Sequence, residues 1–256
     1  MKKLLLLFFL ILNGCSFKSL VLPNLSFIIA DRVDSTLHLY NEQEYEVRDA
    51  IKKLLREEKE RFKKIQNYFN AISIQEVDEQ KGYQFFADNY YAIALKVNRI
   101  LAKQMARLDK KQLKKFQKTI KDDNEEVQKR AKEKKPKDFY KRYSYFFGEL
   151  TGEQKNLIND NMSLFRDLAK RRIEERLKTQ RKLNQILELK DIEKKEKLII
   201  ELFDQNADRS KLTPERKKSM AQFKDFVKSL TPSQVEHFQK KRLEIDKWFE
   251  AYFKYY

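Results

Sequence analysis

Leu230-Thr231-Pro232-Ser233-Gln234 spells out a helix start in five residues. Threonine at the N-cap accepts a bond from an orphan backbone N–H, and glutamine three residues on reaches back to the cap's own N–H. Proline suits the first helical position, where its missing N–H would have gone unused. The preceding leucine packs back over the first turn as a staple. Behind this start, Val235, Phe238, Ile245, Phe249 and Tyr252 fall on one stripe, with Arg242 filling a further position. The pattern predicts a helix over 232–255.

The same unit returns as Leu108-Asp109-Lys110-Lys111-Gln112, Leu150-Thr151-Gly152-Glu153-Gln154 and Leu212-Thr213-Pro214-Glu215-Arg216. A looser copy reads Leu39-Tyr40-Asn41-Glu42-Gln43. The intervals between copies are irregular, which excludes a solenoid of fixed period. Upstream, Val47, Ile51, Leu54, Phe62, Ile65 and Phe69 step by three or four residues, predicting one helix over 41–70. Glu58 occupies the gap in that stripe, either at its edge or reaching a partner charge. Further helices are expected over 75–108, 109–132, 138–147, 152–189, 192–206 and 214–230.

Composition agrees with this reading. The 256 residues include only 4 Gly and 4 Pro, where an average chain of that length holds about 18 glycines. Hairpins need turn glycines, and long helices joined by short loops do not. The fold class is all-α: an elongated antiparallel bundle over 37–256, either one unit or two lobes meeting near 133–150.

The chain opens with Lys2-Lys3, nine apolar residues from Leu4 to Leu12, then Asn13-Gly14-Cys15. A charged start, a short apolar run and a small residue before a cut mark a secretory signal. The run is too short to cross a bilayer, which takes about 20 residues in a helix. Leu12-Asn13-Gly14-Cys15 resembles the lipobox of bacterial lipoproteins. That resemblance implies a signal peptide over 1–14, cleavage before Cys15, a lipid on its sulfur and acylation of the new terminus. Ser16 resembles the sorting residue of lipoproteins sent to the outer membrane, facing the periplasm. Residues 15–36 then form an apolar tether whose Pro23-Asn24 pair turns into a short helix, lying on the membrane interface or folding back onto the core. Cys15 is the single cysteine, so no disulfide is available.

The formal charge is +17, and removing Lys2 and Lys3 leaves +15. Clustered lysines suit phosphates, but export argues against nucleic acid as a partner. Mixed runs such as Arg56-Glu57-Glu58-Lys59-Glu60-Arg61 read as solvated helix faces. The lopsided stretch is Lys129, Arg130, Lys132, Lys134, Lys135 and Lys137, opposed only by Glu133. It is either a solvated run or a contact for anionic lipid headgroups, lipopolysaccharide phosphates or wall polymer.

Two family resemblances follow from these residues. The Leu-Thr-x-x-Gln units resemble those of periplasmic helical chaperones of the Spy and CpxP kind, which hold unfolded clients without ATP. The whole chain resembles an uncharacterised family of proteobacterial lipoproteins, domain of unknown function 6279. That likeness runs through the lipobox, Asp31-Arg32-Val33-Asp34, Leu39–Gln43, Leu108–Gln112 and Phe146–Gln154, then Arg176 with Gln180 and Leu183, and Leu230–Gln234. It implies an envelope location and a helical fold.

The residues supply no catalytic constellation. His38 and His237 are far apart in sequence and neither has a second histidine at metal-ligand spacing. Asp31 and Asp34 read as turn or cap residues rather than an acid and base pair. No phosphate loop, nucleophile elbow or cofactor fingerprint is present. The expectation is a non-enzymatic, lipid-anchored binding protein that holds unfolded envelope polypeptides. The alternative is a scaffold that docks on wall polymer or lipopolysaccharide through a basic face.

Overall fold

The computed structural model of the chain describes residues 22–76, 78–133, 135–208 and 212–256. These residues form eleven helices and no strand. The helices are α1 Leu25–Leu37, α2 Asn41–Glu57, α3 Lys59–Ala71, α4 Glu79–Ala106, α5 Lys110–Lys132 and α6 Pro136–Phe147. There follow α7 Gly152–Asp160, α8 Met162–Leu187, α9 Ile192–Ala207, α10 Pro214–Lys228 and α11 Pro232–Tyr255. The all-α bundle expected from sequence is what forms.

Two expected helices are broken. The stripe over 41–70 is interrupted at Glu58, which leaves helical geometry at φ −88° and ψ 8°. Its side chain is buried and accepts from Arg61 Nε at 2.5 Å and pairs with Lys96 Nζ at 2.5 Å. The helix spanning 152–189 is interrupted at Asn161, whose amide donates to the Leu157 carbonyl at 2.8 Å and accepts from Gln222. At Asn161 the side-chain amide bonds the carbonyl of the preceding turn, whereas at Glu58 the carboxylate is drawn to Arg61 and Lys96 while the backbone bonds to Leu54 and Phe62 persist. Asp31 and Asp34 sit within α1 and cap nothing.

Apolar side chains gather in two clusters. The larger draws on Leu22, Leu25 and Val33 around α1, Val47 and Ile51 of α2, Ala102 and Met105 of α4 and Phe116 of α5. Leu183, Ile199, Trp248 and Tyr252 complete it from α8, α9 and α11. The smaller comprises Ile74, Phe139, Phe147, Leu150, Ile158, Met162, Phe226, Val227 and Phe238. Each buried Leu, Ile or Phe contributes about 2 kcal/mol relative to exposure. Two helices serve both clusters. Met162 and Leu183 lie at opposite ends of α8, and Phe238 and Tyr252 near opposite ends of α11.

Close approach within the larger cluster depends on small residues. Ala94, Asn98, Ala102 and Ala106 recur every fourth position along α4, one ridge of the helix, and all are buried. Asn98 Nδ2 donates to Asp204 Oδ1 of α9 at 2.9 Å, fixing the register of that pair.

The helix-start units have a tertiary role as well as a local one. Thr151 Oγ1 accepts from Gln154 N and Thr231 Oγ1 from Gln234 N, each at 3.3 Å. Gln154 Oε1 and Gln234 Oε1 accept in return from their caps' N–H groups at 3.0 Å. The amide hydrogens remain, and they cross between units. Gln154 Nε2 donates to the Ser229 carbonyl at 2.9 Å and Gln234 Nε2 to the Glu149 carbonyl at 2.7 Å. Asp109–Gln112 repeats the arrangement: Gln112 Nε2 donates to His38 O at 2.9 Å and to Gln43 Oε1 at 2.7 Å. The four glutamine-bearing units therefore meet as two pairs, one beside each core. The fifth, at Thr213, has Arg216 in place of glutamine, and its guanidinium donates instead to the Tyr83 hydroxyl of α4 at 2.8 Å.

Candidate anionic-surface site

α5 is amphipathic along its whole length. Phe116 and Gln112 are buried and Leu113 and Ile120 pack on the larger core, which sets the direction its other face must point. Lys110, Lys111, Lys114, Lys115, Lys118, Lys121, Lys129 and Lys132 are all exposed. At 100° per residue they share an arc of roughly 140° opposite the buried side. Asp122 and Glu125 are the acids within that arc. No ion pair among the described residues engages any of the eight lysines. Twenty-three residues of helix carry the face over roughly 34 Å.

The six basic residues singled out in the sequence divide. Lys129 and Lys132 extend the α5 lysine face and occupy its last turn, where cations also complement the helix dipole. Arg130 is turned toward Glu126 and paired with it. Lys135 precedes α6, its N–H donating to Asp138 Oδ2 at 3.1 Å, and Lys137 is exposed in the first turn of α6. Lys134 lies outside the described residues, as do Cys15 and its expected lipid. The six lysines from Lys110 to Lys121 were not singled out in the sequence, although their spacing at 110, 114, 118 and 121 is that of one helix face.

The face is held in place at its N-terminal end by specific bonds. Asp109 caps α5, and its carboxyl is held below its ordinary range by the Tyr40 hydroxyl, which donates at 2.5 Å, and then by the Gln112 N–H. The same contact raises the Tyr40 hydroxyl above its ordinary value. His38 ends α1 in a left-handed conformation, φ 54°, and its Nε2 meets Thr119 Oγ1 at 2.9 Å. α1 is thereby fastened to α5 at both Gln112 and Thr119.

Elsewhere the polar clusters are structural in form. Glu46 of α2 accepts from Gln104 Nε2 at 3.0 Å, lies 3.1 Å from Lys103 Nζ and accepts from Arg107 at 2.9 Å. These hydrogen bonds, led by that of Gln104, lower its carboxyl from 4.5 to about 2. Burial alone would raise the Glu58 carboxyl, and the bonds from Lys96 and Arg61 outweigh it and hold it low. His237 Nε2 lies 3.3 Å from the Tyr145 carbonyl, well away from His38. Among the described residues no group of three or more His, Cys, Asp or Glu side chains is placed to hold a metal.

Tyr68, Phe85 and Phe86 form an aromatic group between α3 and α4. Tyr68 stacks on Phe85 at 4.0 Å, Phe86 meets Tyr68 edge-on at 5.6 Å, and Phe86 is 40% exposed. No helix among the described residues is long and apolar enough to cross a membrane. No family model, curated protein or solved structure matches the chain, so its family resemblances rest on the residues quoted for them.

Proposed function

We propose that this chain is a lipid-anchored, non-catalytic binding protein of the cell envelope, held through Cys15 at the periplasmic face of the outer membrane. Its work is surface contact rather than bond chemistry. The observation that supports this reading is the α5 face: eight exposed lysines, none held in an ion pair among the described residues, against the two acids Asp122 and Glu125. Surface lysines are ordinarily interleaved with acids, as they are along α2 and α9. A long face with cations in fourfold excess over acids attracts an extended anionic partner. Of the two roles read from the sequence, this arrangement favours docking on anionic envelope material over holding clients.

The test is co-sedimentation of the purified full chain with lipopolysaccharide aggregates, peptidoglycan or anionic vesicles across a salt series. Binding that weakens steeply between 50 and 500 mM salt is expected, since exposed charges are screened over about 10 Å at 0.1 M. Retention that ignores salt would count against it. The Tyr68–Phe85–Phe86 group is the observation that favours client holding. That role requires suppression of model-protein aggregation, lost in Phe86→Ala.

A further inference from the structure

We infer that the lysine face of α5 rests on the headgroups of the same bilayer that holds the chain's lipid, with anionic phospholipid as its ligand class. This rests on the anchoring reading of Cys15 and adds the partner and the orientation.

Three observations carry it. The first is reach. Seven steps of chain separate Cys15 from Leu22, which is already buried in the larger core. At about 3.5 Å per residue the body begins no more than about 25 Å from the anchored atom. The second is position. The first described helix after Cys15 is α1, and α1 is fastened to α5 through His38, Gln112 and Thr119 and shares its core with Phe116. Among the described helices, α5 therefore bears its lysines beside the helix that the anchor holds close. Wall polymer lies farther off and would have to be met by a face directed away from the membrane.

The third is chemistry. The cationic groups on this face are lysines alone, and α5's one arginine, Arg130, is turned away to Glu126. Lysine is a mobile point charge on a flexible stem, without the fixed fork by which arginine grips a single phosphate. Eight such groups spread over roughly 34 Å fit a fluid array of headgroups better than one defined ligand. Their apolar stems can lie along the interface while the ammonium groups meet phosphate.

The experiment uses the full chain in vesicles of phosphatidylcholine alone or with phosphatidylglycerol. Attachment is by the native lipid or, where mass spectrometry finds Cys15 unmodified, by a maleimide lipid coupled to its thiol. The mass of the Cys15 peptide decides the anchoring reading. Amine acylation decides the present one in either case. Lys114, Lys118 and Lys121 should be acylated at least threefold more slowly in anionic than in neutral vesicles, with 0.5 M salt removing the difference. Lys240 on α11 serves as an exposed reference and should not change. The variant K114Q/K118Q/K121Q should keep the wild-type melting temperature yet lose the protection of Lys110, Lys111 and Lys115. Equal acylation in both vesicles overturns the inference, and so does protection that appears only when purified peptidoglycan is added.

Discussion

The side-chain amides of Gln154 and Gln234 exchange two hydrogen bonds, Nε2 to Oε1 in each direction at 2.8 Å. Each glutamine starts its own helix and also closes the turn of the other. Both are buried, so every amide atom needs a partner, and each finds one.

Gln154→Ala should therefore exceed an ordinary cap loss. Thr151→Ala removes one capping bond and costs about 1 kcal/mol. Gln154→Ala strands the Ser229 carbonyl and the Gln234 amide together, for about 3 kcal/mol. Urea melts of both single variants and of the Gln154→Ala/Gln234→Ala double should give a coupling of about 1 kcal/mol or more. Simple additivity would mean that the exchanged bonds contribute nothing beyond the caps.

Glu58→Ala removes a buried carboxylate that holds Arg61 and Lys96. Those cations are 34% and 45% exposed and can return to water, so the loss should be about 2 kcal/mol rather than that of a fully buried pair. A melting temperature unchanged within 2 °C would contradict this assignment.

Glu46 gives the acid limb of stability a defined window. Its folded pKa is depressed from 4.5 to about 2, so its contribution is present above 4.5 and lost as pH falls through 2. The melting temperature of Glu46→Gln should lie below that of the wild type at pH 6, and the gap should close between pH 4.5 and 2. A gap independent of pH would show that packing, not charge, is what the substitution removes.

Gly148 ends α6 at φ 78°, a conformation that other L-residues reach only with strain, and the His237 ring lies 3.4 Å from where a Cβ would stand. Gly148→Ala should lower stability by about 1–2 kcal/mol. The ring stands at ordinary contact distance, so the cost is backbone strain and His237→Ala should restore none of it; restoration would place the effect in the ring contact.

Cys15→Ser should abolish fatty-acid labelling of the chain in cells. Persistent labelling would refute lipidation at that position.

Local chemistry was the legible part of this molecule. Thr231, Pro232 and Gln234 announce a helix because their bonds span three residues, and the helix begins where they say. That Gln234 also reaches Glu149 was not readable, since the partner is 85 residues away and nothing in the unit names it. The break at Glu58 showed only as a gap in a stripe that resumes at Phe62, and the break at Asn161 left no mark in the spacing at all. Lys129 to Lys137 stand out as a dense run, whereas Lys110 to Lys121 are interleaved with Gln112, Leu113 and Phe116 and become a face only once the helix is wound.

α11 carries Phe238 in one core and Tyr252 in the other, over a helix of 24 residues or roughly 36 Å. It acts as a strut. The strut sets the separation of the two cores, and that spacing cannot relax without breaking one core or the other. The smaller core around Phe147 and Phe226 thus stands from the larger one at a distance fixed by helix length, as a gauge block fixes a gap.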